Sequence, residues 1–314
     1  MSNKLVPANP SKEILLNHPR ILEFIEAGRA QRTRKIYEEA FERFRQWATN
    51  KNRSPLPASS ETMALYMIYL SDEGKKPATI DLALTSIRVI HSAANFPLLP
   101  NAQLQQLRKG LRRTKGVKQR QARPLTVELL TRGLQREATM IAIRDRALLL
   151  LGFAGALRRS EIVSLQVEDL DFKDEGLMLN IQKSKTDQEA KGRTIPIHLG
   201  SSENLCPVSA LKRWLKEAKI ESGLVFRNVA KGGRVGAALT TRSISRIVKR
   251  CAERAGEDAS GFSGHSLRAG YATEAARRGA QSHQIMMVTG HRSDTMVRRY
   301  VREGRAFLDS VAVL

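Results

Sequence analysis

The sequence predicts a mainly α fold, with an all-α N-terminal half and an α+β C-terminal half that carries a small antiparallel sheet. Three observations carry that reading. Apolar residues recur at three- and four-residue spacing through most of the first 113 positions, three short alternating runs crowd between 167 and 198, and helical spacing then resumes from 208. No repeat of fixed period and no low-complexity tract interrupts the pattern.

In the first half, Ile36, Tyr37, Ala40, Phe41, Phe44 and Trp47 make an apolar face that starts past Thr33 as a candidate cap. A second helix begins near Ser59 and Ser60 and buries Met63, Leu65, Tyr66 and Tyr69 or their neighbours. A third follows Pro77, with Ile80, Leu84, Ile87 and Ile90 as its stripe. Pro97 and Pro100 punctuate the chain before a short basic helix at 104–111. Residues 108–123, RKGLRRTKGVKQRQAR, hold eight basic side chains, no acid, and glycines at 110 and 116. Such a stretch builds no core and reads as an extended linker between a domain at 1–107 and another at 124–314.

The second domain opens with helical patterns at 125–134 and 141–157. Strand-like runs follow at 167–172, 177–182 and 193–198, and the polar KSKTDQEAKG between the last two reads as a hairpin turn. Helices are expected again at 208–218, 243–255, 266–278, 284–288 and 295–301.

Charge supplies the first functional expectation. The 314 residues include 53 Lys and Arg against 31 Asp and Glu, a net +22, of which +12 falls in residues 1–123 and +10 in 124–314. A field of this size attracts polyanions, so nucleic acid is the expected partner, touched by both halves. Aromatics at 5% offer few platforms for unstacked bases, which favours the duplex backbone. The longest uncharged apolar run, 147–157, is well short of the ~20 residues that span a membrane. The N-terminus also lacks the apolar core of a signal peptide, so a cytoplasmic location without membrane association is expected. Cys206 and Cys251 show no Cys-x-x-Cys spacing and read as reduced thiols. Phosphate-loop, nucleophile-elbow and zincin motifs are missing from the sequence.

Four spaced motifs remain in the second half: LRRSE at 157–161, HSLR at 265–268, GH at 290–291, and Tyr300 nine residues beyond that histidine. In this order they resemble the tyrosine recombinase/integrase family, and the resemblance covers nearly the whole chain because the helical first half is similar to the family's core-binding (SAM-like) domain. It implies a site-specific DNA recombinase that cleaves and rejoins duplex DNA through a 3′-phosphotyrosine, with neither cofactor nor metal. It also implies a tetramer on paired sites. In the C-terminal segment 304–314, Phe307, Leu308, Val311 and Leu314 mark one apolar face, which packs on its own domain or, as the resemblance implies, docks into a neighbouring protomer and joins the subunits. Two other readings stay open: a type IB topoisomerase, which reseals the same strand, and a DNA-binding protein without catalysis.

Chemistry supports the assignment residue by residue. Attack on a phosphodiester gathers negative charge on non-bridging oxygens, which planar, permanently charged guanidiniums bind two at a time; Arg158 and Arg268 fit that role. His265 and Arg268 lie three residues apart and share one helix face. An imidazole titrates near neutrality, and His265 corresponds to the family's acid/base histidine. By resemblance, Lys185 in the turn is the general acid for the departing 5′-hydroxyl, with Lys183 as the fallback, and His291 donates a hydrogen bond to the phosphate. Glu161 is expected to orient an arginine or the lysine turn. Tyr300 is the candidate nucleophile, a phenol that needs a base and nearby cations to attack at pH 7. Tyr37, Tyr66, Tyr69 and Tyr271 read as core residues, and His18, His91, His198 and His283 as structural or surface ones. Thr241, Arg242, Ser243, Arg246 and Lys249 start a basic helix suited to a major groove. Arg32, Arg34, Lys35, Arg43, Lys75, Lys76 and Arg88 are candidates for phosphate contacts, as are Arg112, Arg113, Lys115, Lys118 and Arg120.

Overall fold

The computed structural model describes residues 31–98, 101–116, 121–134, 139–182, 192–200, 202–291 and 293–305. The chain divides into two compact units, 1–119 and 120–314. Among the described residues no helix is long and apolar enough to cross a membrane, and no cluster of His, Cys, Asp or Glu is arranged to hold a metal ion.

Among the described residues the regular structure of the first unit is all helical: α1 (Gln31–Asn50), α2 (Ser60–Asp72), α3 (Pro77–Ala93) and α4 (Ala102–Lys115). The Ser59 hydroxyl accepts from the Thr62 amide at 3.1 Å and starts α2, while Pro77 occupies the first turn of α3, where its missing N–H costs nothing. Phe44, Met63, Tyr66, Met67, Ile80, Leu84 and Ile87 form the core. The buried stripe of α2 is Met63, Tyr66, Met67 and Leu70, and Leu65 and Tyr69 are exposed. The reason is angular: positions 63, 66, 67 and 70 share one face at 3.6 residues per turn, and 65 and 69 fall outside it. Tyr69 still stacks on Trp47, with ring centroids 5.8 Å apart. His91 is buried as a structural residue: its Nε2 accepts from the Ala58 amide at 2.8 Å and its Nδ1 lies 2.8 Å from the Ile87 carbonyl.

The reading of 108–123 as an extended linker is corrected over its first half. Helix α4 continues to Lys115 and ends at Gly116, whose φ is +71°. Leu104, Leu107 and Leu111 recur at helical spacing and pack on the core, Arg108 pairs with Asp81 at 2.5 Å, and Lys115 donates to the Ser71 carbonyl. These contacts offset the repulsion among the basic side chains. Residues 117–120 lie outside the described residues.

The second unit begins with α5 (Val127–Gly133), α6 (Met140–Ala154) and α7 (Arg159–Ser164). The sheet follows, β1 (Leu170–Lys173), β2 (Gly176–Ile181) and β3 (Arg193–His198), antiparallel in the order β1-β2-β3 with Leu170 opposite Leu179 and Leu179 opposite Ile195. Alternation puts Leu177, Leu179, Ile181, Ile195 and Ile197 into the core. The expected strand at 167–172 is corrected at its start: Val167–Asp169 is a short 3-10 turn, because the Asp169 carboxylate accepts from the Gln166 amide at 3.0 Å. The expected hairpin turn at 183–191 lies outside the described residues. Next come α8 (Pro207–Glu217), β4 (Arg227–Val229), β5 (Val235–Ala238), α9 (Thr241–Arg254), α10 (Ser266–Arg277), α11 (Ser282–Thr289) and α12 (Asp294–Arg305). Sequence reading missed the β4–β5 hairpin, whose turn uses Gly232 and Gly233 at φ +109° and +87°.

Two features set the frame of the site. Helix α6 is mostly apolar and buried, with a buried Arg144–Asp145 pair, and delivers the 155–158 turn. Helix α10 packs so closely on the start of this unit that a Cβ at Gly270 would lie 2.1 Å from the Leu125 carbonyl oxygen, which only glycine permits.

Candidate active site

The 155–158 turn places the first arginine. Gly155 caps α6, Ala156 takes φ +46°, and Arg158 is the N-cap of α7. A non-glycine residue in the left-handed region costs energy and persists where surrounding contacts enforce it. Here the Ala156 carbonyl accepts from Arg268 Nη1 at 3.1 Å, so the turn conformation and the second arginine hold each other.

Glu161 organises the arginines. Its carboxylate, 1% exposed, accepts from the Arg158 amide at 2.8 Å and from Arg158 Nη1 at 2.7 Å, and Arg193 Nη2 donates to the same carboxylate at 3.0 Å. Arg158 Nη2 also donates to the Gly290 carbonyl at 3.2 Å. Arg193, at the head of β3, was not among the residues the sequence singled out. A basic residue opening a strand carries no local signal, and its partner lies 32 positions away.

Arg268 projects from α10 and is 1% exposed. One amino group is anchored on Ala156, and the other, Nη2, is buried with no hydrogen-bond partner among the described residues. Burial, then the neighbouring Arg158 charge, pushes its pKa down to about 9, which still leaves it charged at neutral pH. A buried, charged donor without an acceptor is a place for an anion.

The helix that carries Tyr300 packs on α10 through small residues. Ala269, Ala272 and Ala276 form a shallow surface against which Ile285, Val297 and the Tyr300 ring lie, and a Cβ at Gly304 would meet the Thr273 carbonyl at 2.6 Å. The Tyr300 ring is buried, 7% exposed, but its hydroxyl is 2.9 Å from His265 Nε2. That distance lies within the reach of direct proton transfer. The protein around the His265 ring, then the charges of Arg268, Arg158 and Arg159, holds its pKa below the usual 6.5, so the ring is neutral at neutral pH and, in the tautomer with its proton on Nδ1, Nε2 accepts from the Tyr300 hydroxyl.

His291 completes the cluster. Its ring stacks on Tyr300 at 6.3 Å, and burial followed by the charges of Arg268 and Arg158 lowers its pKa to about 3. A neutral imidazole carries one proton, and Thr289 bears on which nitrogen holds it. Thr289 Oγ1 is 2.7 Å from the Ile285 carbonyl and 2.8 Å from His291 Nδ1. When the hydroxyl proton goes to the carbonyl, Nδ1 must be the protonated nitrogen; when it goes to Nδ1, Nε2 carries the proton and can donate outward. Sequence reading did not single out Thr289, because a threonine at a helix end has no signature of its own.

Of the predicted centre, Arg158, Glu161, His265, Arg268, His291 and Tyr300 thus come together from the α6–α7 turn, α7, α10, the α11–α12 corner and α12. Lys185 and Lys183 lie outside the described residues. On α9, Ile244, Ile247, Val248, Cys251 and Ala252 face inward, Arg242 and Arg246 are exposed, and Thr241, Ser243 and Lys249 are half-buried. In the first unit, Lys35, Arg43, Lys75, Lys76, Arg88, Arg112, Arg113 and Lys115 are exposed and Arg34 is half-buried. The Arg32 side chain, Lys118, Arg120 and the segment 306–314 lie outside the described residues.

Comparison with known proteins identifies the family. The phage integrase family model matches residues 125–305. The integrase/recombinase xerD homolog of Selenomonas ruminantium is 36% identical over 293 residues, covering 91% of this chain and 86% of the relative. Recombinase cre of Escherichia phage P1 is 25% identical over 278 residues, covering 82% and 79%. Among solved structures, the XerH site-specific recombinase bound to palindromic difH substrate shares the fold with a TM-score of 0.59 at 21% identity, over 79% of this chain and 69% of that one. A lambda integrase dimer bound to a COC′ core site gives 0.58 at 16% identity, over 91% and 76%. The chain belongs to the phage integrase family and is a tyrosine-type site-specific DNA recombinase.

Proposed function

We propose that Tyr300 cleaves duplex DNA by forming a 3′-phosphotyrosyl ester, and that a partner strand then resolves the ester. The phenol oxygen attacks phosphorus while His265 Nε2 takes its proton. Arg158 and Arg268 neutralise the non-bridging oxygens, and His291, in its Nε2-protonated form, donates to one of them. The bond from phosphorus to the 5′-oxygen breaks, and Lys185 delivers a proton so that a 5′-hydroxyl leaves. Attack by another strand's 5′-hydroxyl reverses each step and releases Tyr300. Because the ester retains the energy of the broken bond, no nucleotide cofactor is consumed. The observation that carries this reading is the 2.9 Å contact between His265 and Tyr300, together with the Arg268 amino group that has no hydrogen-bond partner among the described residues.

Double-stranded DNA is the partner in this reading, with the first unit, 1–119, as the core-binding domain and the second, 120–314, as the catalytic domain. Arg242 and Arg246 on α9 contact the duplex, together with the exposed basic residues of the first unit. Subunits assemble as a tetramer on paired sites through the segment 304–314. The test is a nicked substrate that traps the covalent intermediate. The wild-type chain forms a protein–DNA adduct and Tyr300→Phe forms none while still binding. An adduct retained by Tyr300→Phe overturns the nucleophile. Relaxation of supercoiled DNA without junctions between two sites would assign the chemistry to a topoisomerase, and deletion of 304–314 should depress recombination far more than binding to one site.

A further inference from the structure

Arg193 belongs to none of the four motifs, yet it ties three parts of the centre together. Its Nη2 donates to the Glu161 carboxylate at 3.0 Å, and Arg158 Nη1 binds the same carboxylate at 2.7 Å, so one buried acid is shared by two guanidiniums. Arg193 also lies against the corner that positions His291. Gly290 takes φ +60°, ψ 40° at the end of α11, and a Cβ there would lie 2.4 Å from Arg193 Nη1. The Gly290 carbonyl in turn accepts from Arg158 Nη2 at 3.2 Å. Arg193, Glu161, Arg158 and Gly290 therefore close a ring that joins the head of β3, the start of α7 and the end of α11. Both arginines are largely out of solvent, with side chains 15% and 16% exposed.

From this ring we infer that Arg193 is a positioning residue for the cleavage reaction: it shares Glu161 with Arg158 so that the Arg158 guanidinium is held in one orientation toward the scissile phosphate, and it braces the Gly290–His291 corner beside it. The inference rests on the phosphotyrosine reading above. Two of the three Arg193 nitrogens are committed to this ring, Nη2 to Glu161 and Nη1 against Gly290, which favours orientation, while Nε is buried with no hydrogen-bond partner among the described residues. The Arg158 amide ties one oxygen of the Glu161 carboxylate to the start of α7 at 2.8 Å, and Arg193 adds a guanidinium to that same oxygen, which sets the tilt of the carboxylate and hence of the Arg158 fork on its other oxygen. Loss of a partner that only orients a functional group typically costs about 10- to 100-fold in activity.

The experiment compares the wild-type chain, Arg193→Met and Arg193→Lys in single-turnover cleavage on a nicked substrate, with equilibrium binding to the same DNA. A second substrate carries a neutral methylphosphonate at the scissile position, which lowers the demand for correctly aimed positive charge. On the phosphate substrate Arg193→Met should cleave about 10- to 100-fold more slowly with nearly unchanged affinity, and Arg193→Lys should fall between it and wild type. On the methylphosphonate the Arg193→Met defect should shrink to within about threefold, an effect that a damaged fold does not produce. A defect of equal size on both substrates, a parallel loss of DNA affinity, or wild-type rates in both variants overturns the inference. If instead the wild-type chain forms no adduct, or Tyr300→Phe still does, the underlying reading has failed irrespective of Arg193.

Discussion

His265 Nε2 and the Tyr300 hydroxyl are 2.9 Å apart, joining the start of α10 to the middle of α12 across 35 residues of sequence. The Tyr300 ring is fixed among alanines, so its oxygen points at the imidazole without a conformational search. Since surrounding protein and the arginine charges hold the His265 pKa below 6.5, the ring stays unprotonated across the neutral range. Cleavage should therefore lose rate on acidification only below the ordinary histidine midpoint. Replacing His265 by Gln should cost about 10²- to 10⁴-fold and flatten that acid limb. Single-turnover rates against pH check both; a Gln variant that keeps the wild-type acid limb would assign it to another group.

Glu161 is the shared counter-charge of two guanidiniums, from a position closed to solvent. Its removal leaves Arg158 and Arg193 facing each other without a counter-charge. Glu161→Ala should lose about 3–5 kcal/mol of stability, the range for breaking a buried pair on one side. Denaturant unfolding measures it, and a loss under about 1 kcal/mol would show that water reaches the pair.

Thr289 bears on the tautomer of His291 through the 2.8 Å contact with Nδ1. Thr289→Val removes the hydroxyl while keeping the volume. Nδ1 then has no fixed partner, and the share of rings with a proton on Nε2 changes. The two ring nitrogens of ¹⁵N-labelled His291 should shift relative to wild type, and the cleavage rate should change with little effect on binding. Identical nitrogen spectra would remove Thr289 from the chemistry.

Stability should fall in acid for a reason that can be traced to named groups. His265 and His291 both have folded pKa values lowered from 6.5, His291 to about 3. Between the folded and unfolded values the unfolded chain binds more protons, so stability drops as pH falls through 6.5 and continues to drop toward 3. His291→Asn should flatten this slope. Unfolding midpoints at neutral pH and at about pH 4.5 make the comparison, and an unchanged slope in the variant would count against it.

Arg242 and Arg246 project from α9 into solvent. If each neutralises one phosphate, substitution by Ala should weaken DNA binding and reduce the slope of log affinity against log salt by about 1 per residue. A weaker affinity with an unchanged slope would place these side chains away from the backbone.

Most helices were readable from apolar residues, because the core faces of α1, α3 and α9 repeat at the helical period over many residues and α6 carries a long apolar run. The exceptions have local causes. The 167–169 turn follows from a single Asp169 cap, and α4 continues through a basic stretch because Asp81 and the Ser71 carbonyl receive its cations. Alternation alone did not betray the β4–β5 hairpin, which is short and sits over a glycine pair.

By itself the sequence determined the residue types of the centre, their order and the basic field around them, since guanidinium, imidazole and phenol chemistry is intrinsic to each side chain. Only the tertiary structure decided how they act on one another. Sharing Glu161 between Arg158 and Arg193, leaving Arg268 Nη2 without an acceptor among the described residues, and setting His265 against Tyr300 all require groups from distant elements to meet where water is scarce. Hydrogen-bond geometry and desolvation exist only there, so they appear when the chain is folded and not before.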